Sequence, residues 1–389
     1  MREPLRIALL THSVNPRGGV VHTLELGRAL HAVGHQVTLF APAAPGQRLF
    51  RPTPCEVQLV PIAAEWPESL AELVETRIRA YVTHLSRLLD ERQFDVFHAQ
   101  DGIGGNALAD LEERGLIPGH LRTVHHLEDF ADPRVMAWQR RALDAPNQLL
   151  CVSRLWREVL QRDYGLSARE VCNGVDTTRF QPVAQPGDAE IARRHGLVGD
   201  GPLILAVGGV EERKNSLGLL QGFIALRDTL PTARLVIAGG ASLLDHDTYA
   251  RRFHALAKAH RLDGSVHLTG PVPDADMPAL FRRADVLALP SVNEGFGLVV
   301  LEALASGTPV VVSRIAPFTE YLDDALCHWA EPYDPTSIAR ALAAAANAQR
   351  GPDLVARAAP LLARFSWQRS ASQHVSAYRA ALSKQFATT

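Results

Sequence analysis

Lysine is almost missing from this chain of 389 residues. It occurs only at Lys214, Lys258 and Lys384, so arginine carries nearly all the positive charge. The 40 basic and 42 acidic side chains leave a formal net charge of −2, which removes any global electrostatic case for nucleic acid as a partner. Cysteine is scarce too. Cys55, Cys151, Cys172 and Cys327 stand far apart with no C-x-x-C pair, which argues against a zinc or redox centre. Three of the four lie in apolar, strand-like runs where a buried free thiol is common, and the setting reads as reducing and cytoplasmic. No apolar run reaches the length of a membrane span, which leaves peripheral contact as the one membrane role open. No secretory signal pattern is expected, because the chain enters the apolar run LRIALLT within five residues and shows no cleavage site.

The length suffices for two domains, each with its own core. One grammar occurs twice. LRIALLT (5–11) reads as a buried parallel strand, HSVNPRGG as a loop, residues 20–33 as a helix and QVTLFAP (36–42) as the next strand. After a Pro- and Ala-rich loop (42–54) come a third strand, EVQLVP, and a long amphipathic helix over about 67–92. Three more strands follow in FDVFHAQD, LRTVHHLEDF and QLLCVS, and Ser153 is placed to cap the helix after the last. A linker at 182–190 precedes the second round: PLILAVG, the loop GGVEERKNS, a helix over 216–230 and the strand RLVIAGG. Strand, loop, helix and strand in this order predict doubly wound α/β domains, in which ligands gather beyond the C-terminal ends of the strands.

Chemistry concentrates in PSVNEGFGLVVLEALASGTPVVVS (290–313). A strand over 285–290 leads into a turn of Glu294, Gly295, Phe296 and Gly297, and a helix runs over about 298–306. Two glycines around one aromatic let the backbone approach a ligand, and the amides of Gly295 to Leu298 open a helix N-terminus suited to an anionic or hydroxyl-rich partner. Glu294 and Glu302 lie eight apart across this corner and read as two grips on a polyhydroxy ligand. Arg213 and Lys214 can clamp a diphosphate, one by a planar fork and the other as a point charge. Two D-x-D triplets, Asp245-His246-Asp247 and Asp274-Ala275-Asp276, read as a loop and as a helix cap, not as metal sites. No H-x-x-H spacing supports a metal.

The joint pattern of E-x7-E, EGFG and SGTPVV resembles glycosyltransferase family 4, a group of retaining GT-B enzymes, and the likeness extends over nearly the whole chain. It implies two Rossmann-like doubly wound domains facing across a cleft: residues 1–180 with a terminal helix at about 368–389 on the acceptor side, and 190–367 on the nucleotide-sugar side. It implies that Gly18 and Gly19 form the glycine loop beneath the donor diphosphate. His125, in TVH, reaches the donor sugar, and Glu302 holds the ribose. Glu294 with the backbone of Gly295, Phe296, Gly297 and Leu298 holds the sugar hydroxyls. Gly240 and Val272 border the nucleotide. Where relatives carry arginine just after the strand, this chain has Gly209, and Arg213 is expected to supply that charge. The implied activity is retaining transfer from a nucleotide-sugar, UDP-sugar favoured, to a hydroxyl acceptor left open among small molecule, lipid and glycan, with no cofactor and no metal. A 2-epimerase or hydrolase on the same scaffold, or a non-catalytic nucleotide-sugar-binding protein, is the alternative.

Overall fold

The computed structural model describes residues 3–64, 67–240 and 247–388. Two units emerge, Met1–Gly174 with Phe365–Thr389, and Val175–Arg364. In the first, the strands β1 (Arg6–Leu10), β2 (Gln36–Ala43), β3 (Glu56–Pro61), β4 (Val96–Ala99), β5 (Leu121–Val124), β6 (Gln148–Cys151) and β7 (Ala168–Glu170) form one sheet of order β3-β2-β1-β4-β5-β6-β7. All pairings are parallel. The run RIALL can only be satisfied by burial on both faces, and Ile7 to Leu10 are 0% exposed. The connecting helices are α1 (Gly18–Ala32), α2 (Leu70–Leu89), α3 (Gly102–Glu113), α4 (Pro133–Asp144) and α5 (Arg154–Tyr164). Ser153 does cap α5, accepting from Trp156 N.

The second unit repeats the plan. Its helices are α6 (Asp188–Arg194), α7 (Ser216–Leu226), α8 (Asp247–Ala259), α9 (Met277–Arg283), α10 (Leu298–Ala305), α11 (Pro335–Ala346) and α12 (Pro352–Arg364). Its strands β8 (Leu203–Val207), β9 (Arg234–Ala238), β10 (Val266–Gly270), β11 (Val286–Leu289), β12 (Val310–Ser313) and β13 (His328–Ala330) lie in the order β10-β9-β8-β11-β12-β13. Its core joins Ile204, Phe223, Ile237, Val286 and Val311 from the sheet and α7. The last helix, α13 (Trp367–Thr388), returns to the first unit: Tyr378 Oη is 2.8 Å from His98 Nδ1, and Gln373 accepts from Cys172 N at 2.7 Å.

Several boundaries differ from the expected ones. The division falls at Gly174, ahead of 180, because Phe180 packs edge-on to Phe281 at 5.8 Å and Arg179 bonds Asp274, which tie this stretch to the second unit. It falls again at Arg364, ahead of 367. The expected linker is shortened by α6, which begins at Asp188. Helix α1 starts at Gly18, two residues early, and α7 ends at Leu226 before the polar Arg227-Asp228-Thr229. Strand β2 extends to Ala43, pairing with Pro61, where a loop was expected. Asp276 does not cap α9 with its side chain; it pairs with His195 at 2.7 Å instead. The other triplet, Asp245-His246-Asp247, lies outside the residues whose side chains are described. Among the described residues no helix is long and apolar enough to cross a membrane.

Candidate active site

In the second sheet the winding reverses between β8 and β11, so the loops after these strands diverge from a common crevice, the standard ligand position in open α/β sheets. The loop after β8 carries Arg213 and Lys214; the loop after β11 carries Glu294. They meet. Lys214 Nζ lies 2.6 Å from Glu294 Oε2 and Arg213 Nη1 3.3 Å from Oε1. The Gly295 amide donates to Oε1 at 3.1 Å, and Ser291 Oγ to Oε2 at 3.4 Å. Burial alone would push this carboxyl up, but the charges of Lys214 and Arg213 outweigh it and hold it at about 2. Glu294 is therefore an anion throughout the physiological range. Arg213 also approaches Glu211 at 3.6 Å.

The turn beyond Glu294 is clamped. Gly297 takes φ +89 at the start of α10, and a Cβ there would lie 2.6 Å from Phe318 Cε1. Tyr321 donates from its hydroxyl to Phe296 O at 2.8 Å and stacks on the Phe296 ring at 4.9 Å. Among the described residues no side chain caps α10, and its first residues, Leu298 and Val299, are half-buried. Glu302 stands half-buried on its second turn. At the end of β8, Gly209 has φ +80, and a Cβ would come within 2.6 Å of Gly240 O. No side chain fits at 209 in this arrangement, which leaves Arg213 as the arginine of the loop. Val272 is half-buried in the turn after β10.

In the first sheet the reversal falls between β1 and β4. The uncapped start of α1 at Gly18, Gln100 after β4 and His125 after β5 share this end. A Cβ on Gly19 would lie 3.6 Å from His125 Cδ2. His125 Nε2 is 3.1 Å from Gln100 Oε1. Burial, with His22, His126, His98 and His12 nearby, pushes the His125 pKa well below 6.5, so the ring is neutral at pH 7. His126 points instead to Glu128 at 3.3 Å and is exposed.

Residues 16–179 match Glycosyltransferase Family 4, and residues 188–360 match Glycosyl transferases group 1. A D-inositol 3-phosphate glycosyltransferase of Xylanimonas cellulosilytica is 30% identical over 98% of this chain and 98% of its own. The chain belongs to the family 4 glycosyltransferases. A mannosylfructose-phosphate synthase of Agrobacterium fabrum is 26% identical over 76% of this glycosyltransferase and 71% of its own length. Among solved structures, a sucrose-phosphate synthase from Thermosynechococcus elongatus superposes with a TM-score of 0.78 at 23% identity, covering 100% of both chains. An Anabaena protein in complex with UDP and glucose gives 0.79 at 15% identity, covering 97% of this chain and 100% of that one. These likenesses establish the GT-B fold, with its two Rossmann-like units.

The structure adds residues to the candidate site of this glycosyltransferase that the sequence reading missed. Asn215, at φ +56, caps α7 and donates to Pro290 O at 3.1 Å and Pro332 O at 2.6 Å, tying the cationic loop to the β11 loop. An asparagine directly before an apolar helix was a readable cap signal. Tyr321 and Gln100 carried none: their contacts form only in the folded chain.

Proposed function

We propose that this glycosyltransferase transfers a sugar, with retention, from a UDP-sugar to a hydroxyl acceptor and needs no metal ion. The observation that carries the reading is the Lys214–Glu294–Arg213 set at the mouth of α10. Two cations stand beside one ionised carboxylate, at a helix start that among the described residues no side chain caps. Arg213 and Lys214 are the groups to receive the leaving diphosphate, whose charge grows as the glycosidic bond breaks. Fixed charge aimed at charge that develops in the transition state lowers the barrier without reorganisation. Glu294, held at about 2, accepts hydrogen bonds from sugar hydroxyls and cannot act as a general acid. Glu302 is the ribose contact. His125, neutral, orients the sugar. No carboxylate is assigned as a nucleophile; the acceptor attacks the same face that the phosphate leaves, and its proton passes to that phosphate. The UDP-sugar assignment draws on the neighbour that holds UDP and glucose.

Thermal-shift titration with UDP-, GDP- and ADP-sugars tests the donor: stabilisation is expected with the UDP series first. The anomeric signals of the product, read by NMR, test retention. Turnover in excess EDTA is expected to be unchanged; a strict divalent requirement would overturn the metal-free account.

A further inference from the structure

Among the described residues His125 is held through one nitrogen, Nε2, 3.1 Å from Gln100 Oε1. Gln100 is itself enclosed. It is 3% exposed, and its amide nitrogen lies 3.3 Å from both ring nitrogens of His98. His98 is wholly buried, its Nδ1 2.8 Å from Tyr378 Oη and its Nε2 2.8 Å from Thr123 Oγ1. A line of contacts thus runs from α13 through the ends of β4 and β5 to His125. A carbonyl oxygen can only accept, so the nitrogen facing it must carry the proton. We propose that Gln100 is a positioning residue that fixes His125 as the Nε2–H tautomer and leaves Nδ1 as an acceptor for a hydroxyl of the bound sugar. This rests on the reading of His125 as the sugar contact.

The consequence is directional. A neutral ring with its proton committed to Gln100 accepts a hydroxyl hydrogen at Nδ1 but cannot donate from that atom. His125 then orients a sugar hydroxyl and does not protonate the leaving group. Without Gln100 the two tautomers interconvert, and part of the enzyme presents a donor where an acceptor is needed.

The test uses the full chain with 15N-labelled histidine. Long-range proton–nitrogen correlation distinguishes the tautomers, and the His125 signals are assigned by their loss in His125→Ala. The wild type is expected to show the Nε2–H pattern at pH 7.5. Gln100→Leu should show a tautomer mixture, and Gln100→Glu, which keeps an acceptor, should restore Nε2–H. If the leucine variant fails to fold, Gln100→Asn, whose amide is one methylene shorter, replaces it. An Nδ1–H wild type, or an unchanged pattern without the Gln100 acceptor, overturns the proposal. Turnover should fall roughly tenfold in Gln100→Leu, with the donor KM within about twofold, and be regained in Gln100→Glu. Equal losses in both variants would mark a packing role and overturn it as well. Full turnover in His125→Ala would instead sink the underlying assignment of His125, while leaving the tautomer pattern of the wild type intact.

Discussion

Replacing Glu294 by Gln removes one charge and almost no volume. The side chains involved are largely enclosed, 9% exposed for Glu294, 15% for Lys214 and 22% for Arg213. The variant leaves two cations facing a neutral amide, with a Glu211 carboxylate oxygen 3.6 Å from Arg213. Breaking one side of a buried ionic set costs about 3 kcal/mol. The pH dependence is more diagnostic. The folded pKa of about 2 lies below the ordinary 4.5, so the carboxylate stabilises the fold fully above 4.5, and this contribution is lost as pH falls toward 2. Linkage gives a loss of about 1 kcal/mol by pH 4 and about 2 kcal/mol by pH 3, relative to neutral pH. Glu294→Gln has no such dependence. The stability gap between wild type and variant, measured by urea unfolding followed by circular dichroism, should therefore be flat from pH 7 to about 5 and narrow from there to pH 3. A gap that stays constant across that range would refute the assignment of a cation-held anion at this position, whatever the variant does to activity.

Arg213→Ala should cut turnover by roughly 10²-fold, because it removes one of two cations assigned to the departing diphosphate, and steady-state kinetics checks it. Gly209→Ala meets both a positive φ and the Gly240 carbonyl 2.6 Å from the new Cβ, so the thermal midpoint should drop in proportion to about 2–4 kcal/mol. Tyr321→Phe keeps the stacked ring but removes the hydroxyl that donates to Phe296 O; a cost of about 1–2 kcal/mol and a raised donor KM are expected, the first by unfolding and the second by initial rates.

How far the sequence carried these residues depended on whether a local pattern set their position. Glu294, Arg213 and Lys214 were legible because each follows a strand at the sheet's reversal, and strand-and-turn grammar alone brings such loops together. The parallel strands were legible for the same reason: runs such as LVIA and VVVS have no other way to be satisfied. The boundary at Gly174 was not, because it is decided by Phe180 meeting Phe281, a contact across a hundred residues of chain that leaves no periodic trace. Asp276 looked like a cap from its neighbours, yet His195 Nε2 at 2.7 Å and Arg194 at 3.5 Å engage its carboxylate instead, contacts made from a distant stretch of chain. Gln100 was invisible, since its meaning lies in Tyr378, far along the chain from His98.

The scarcity of lysine gains a physical meaning at Lys214. Its stem runs along Gly208, where an added Cβ would lie 3.1 Å from Lys214 Cε and 3.4 Å from Cγ. The thin aliphatic chain passes over a bare backbone and delivers a compact ammonium to Glu294 Oε2. Arginine is longer and ends in a flat fork, so it cannot place one nitrogen at that depth without lifting its stem from Gly208 or displacing Arg213. A chain that uses arginine almost everywhere else keeps lysine where a point charge on a narrow stem is needed. Lys214→Arg should therefore preserve the charge and, within about 1 kcal/mol, the stability, yet lower turnover at least roughly tenfold. Lys214→Ala should fall further. Wild-type turnover in Lys214→Arg would show that net charge alone suffices at this position and that the packing over Gly208 has no part in catalysis.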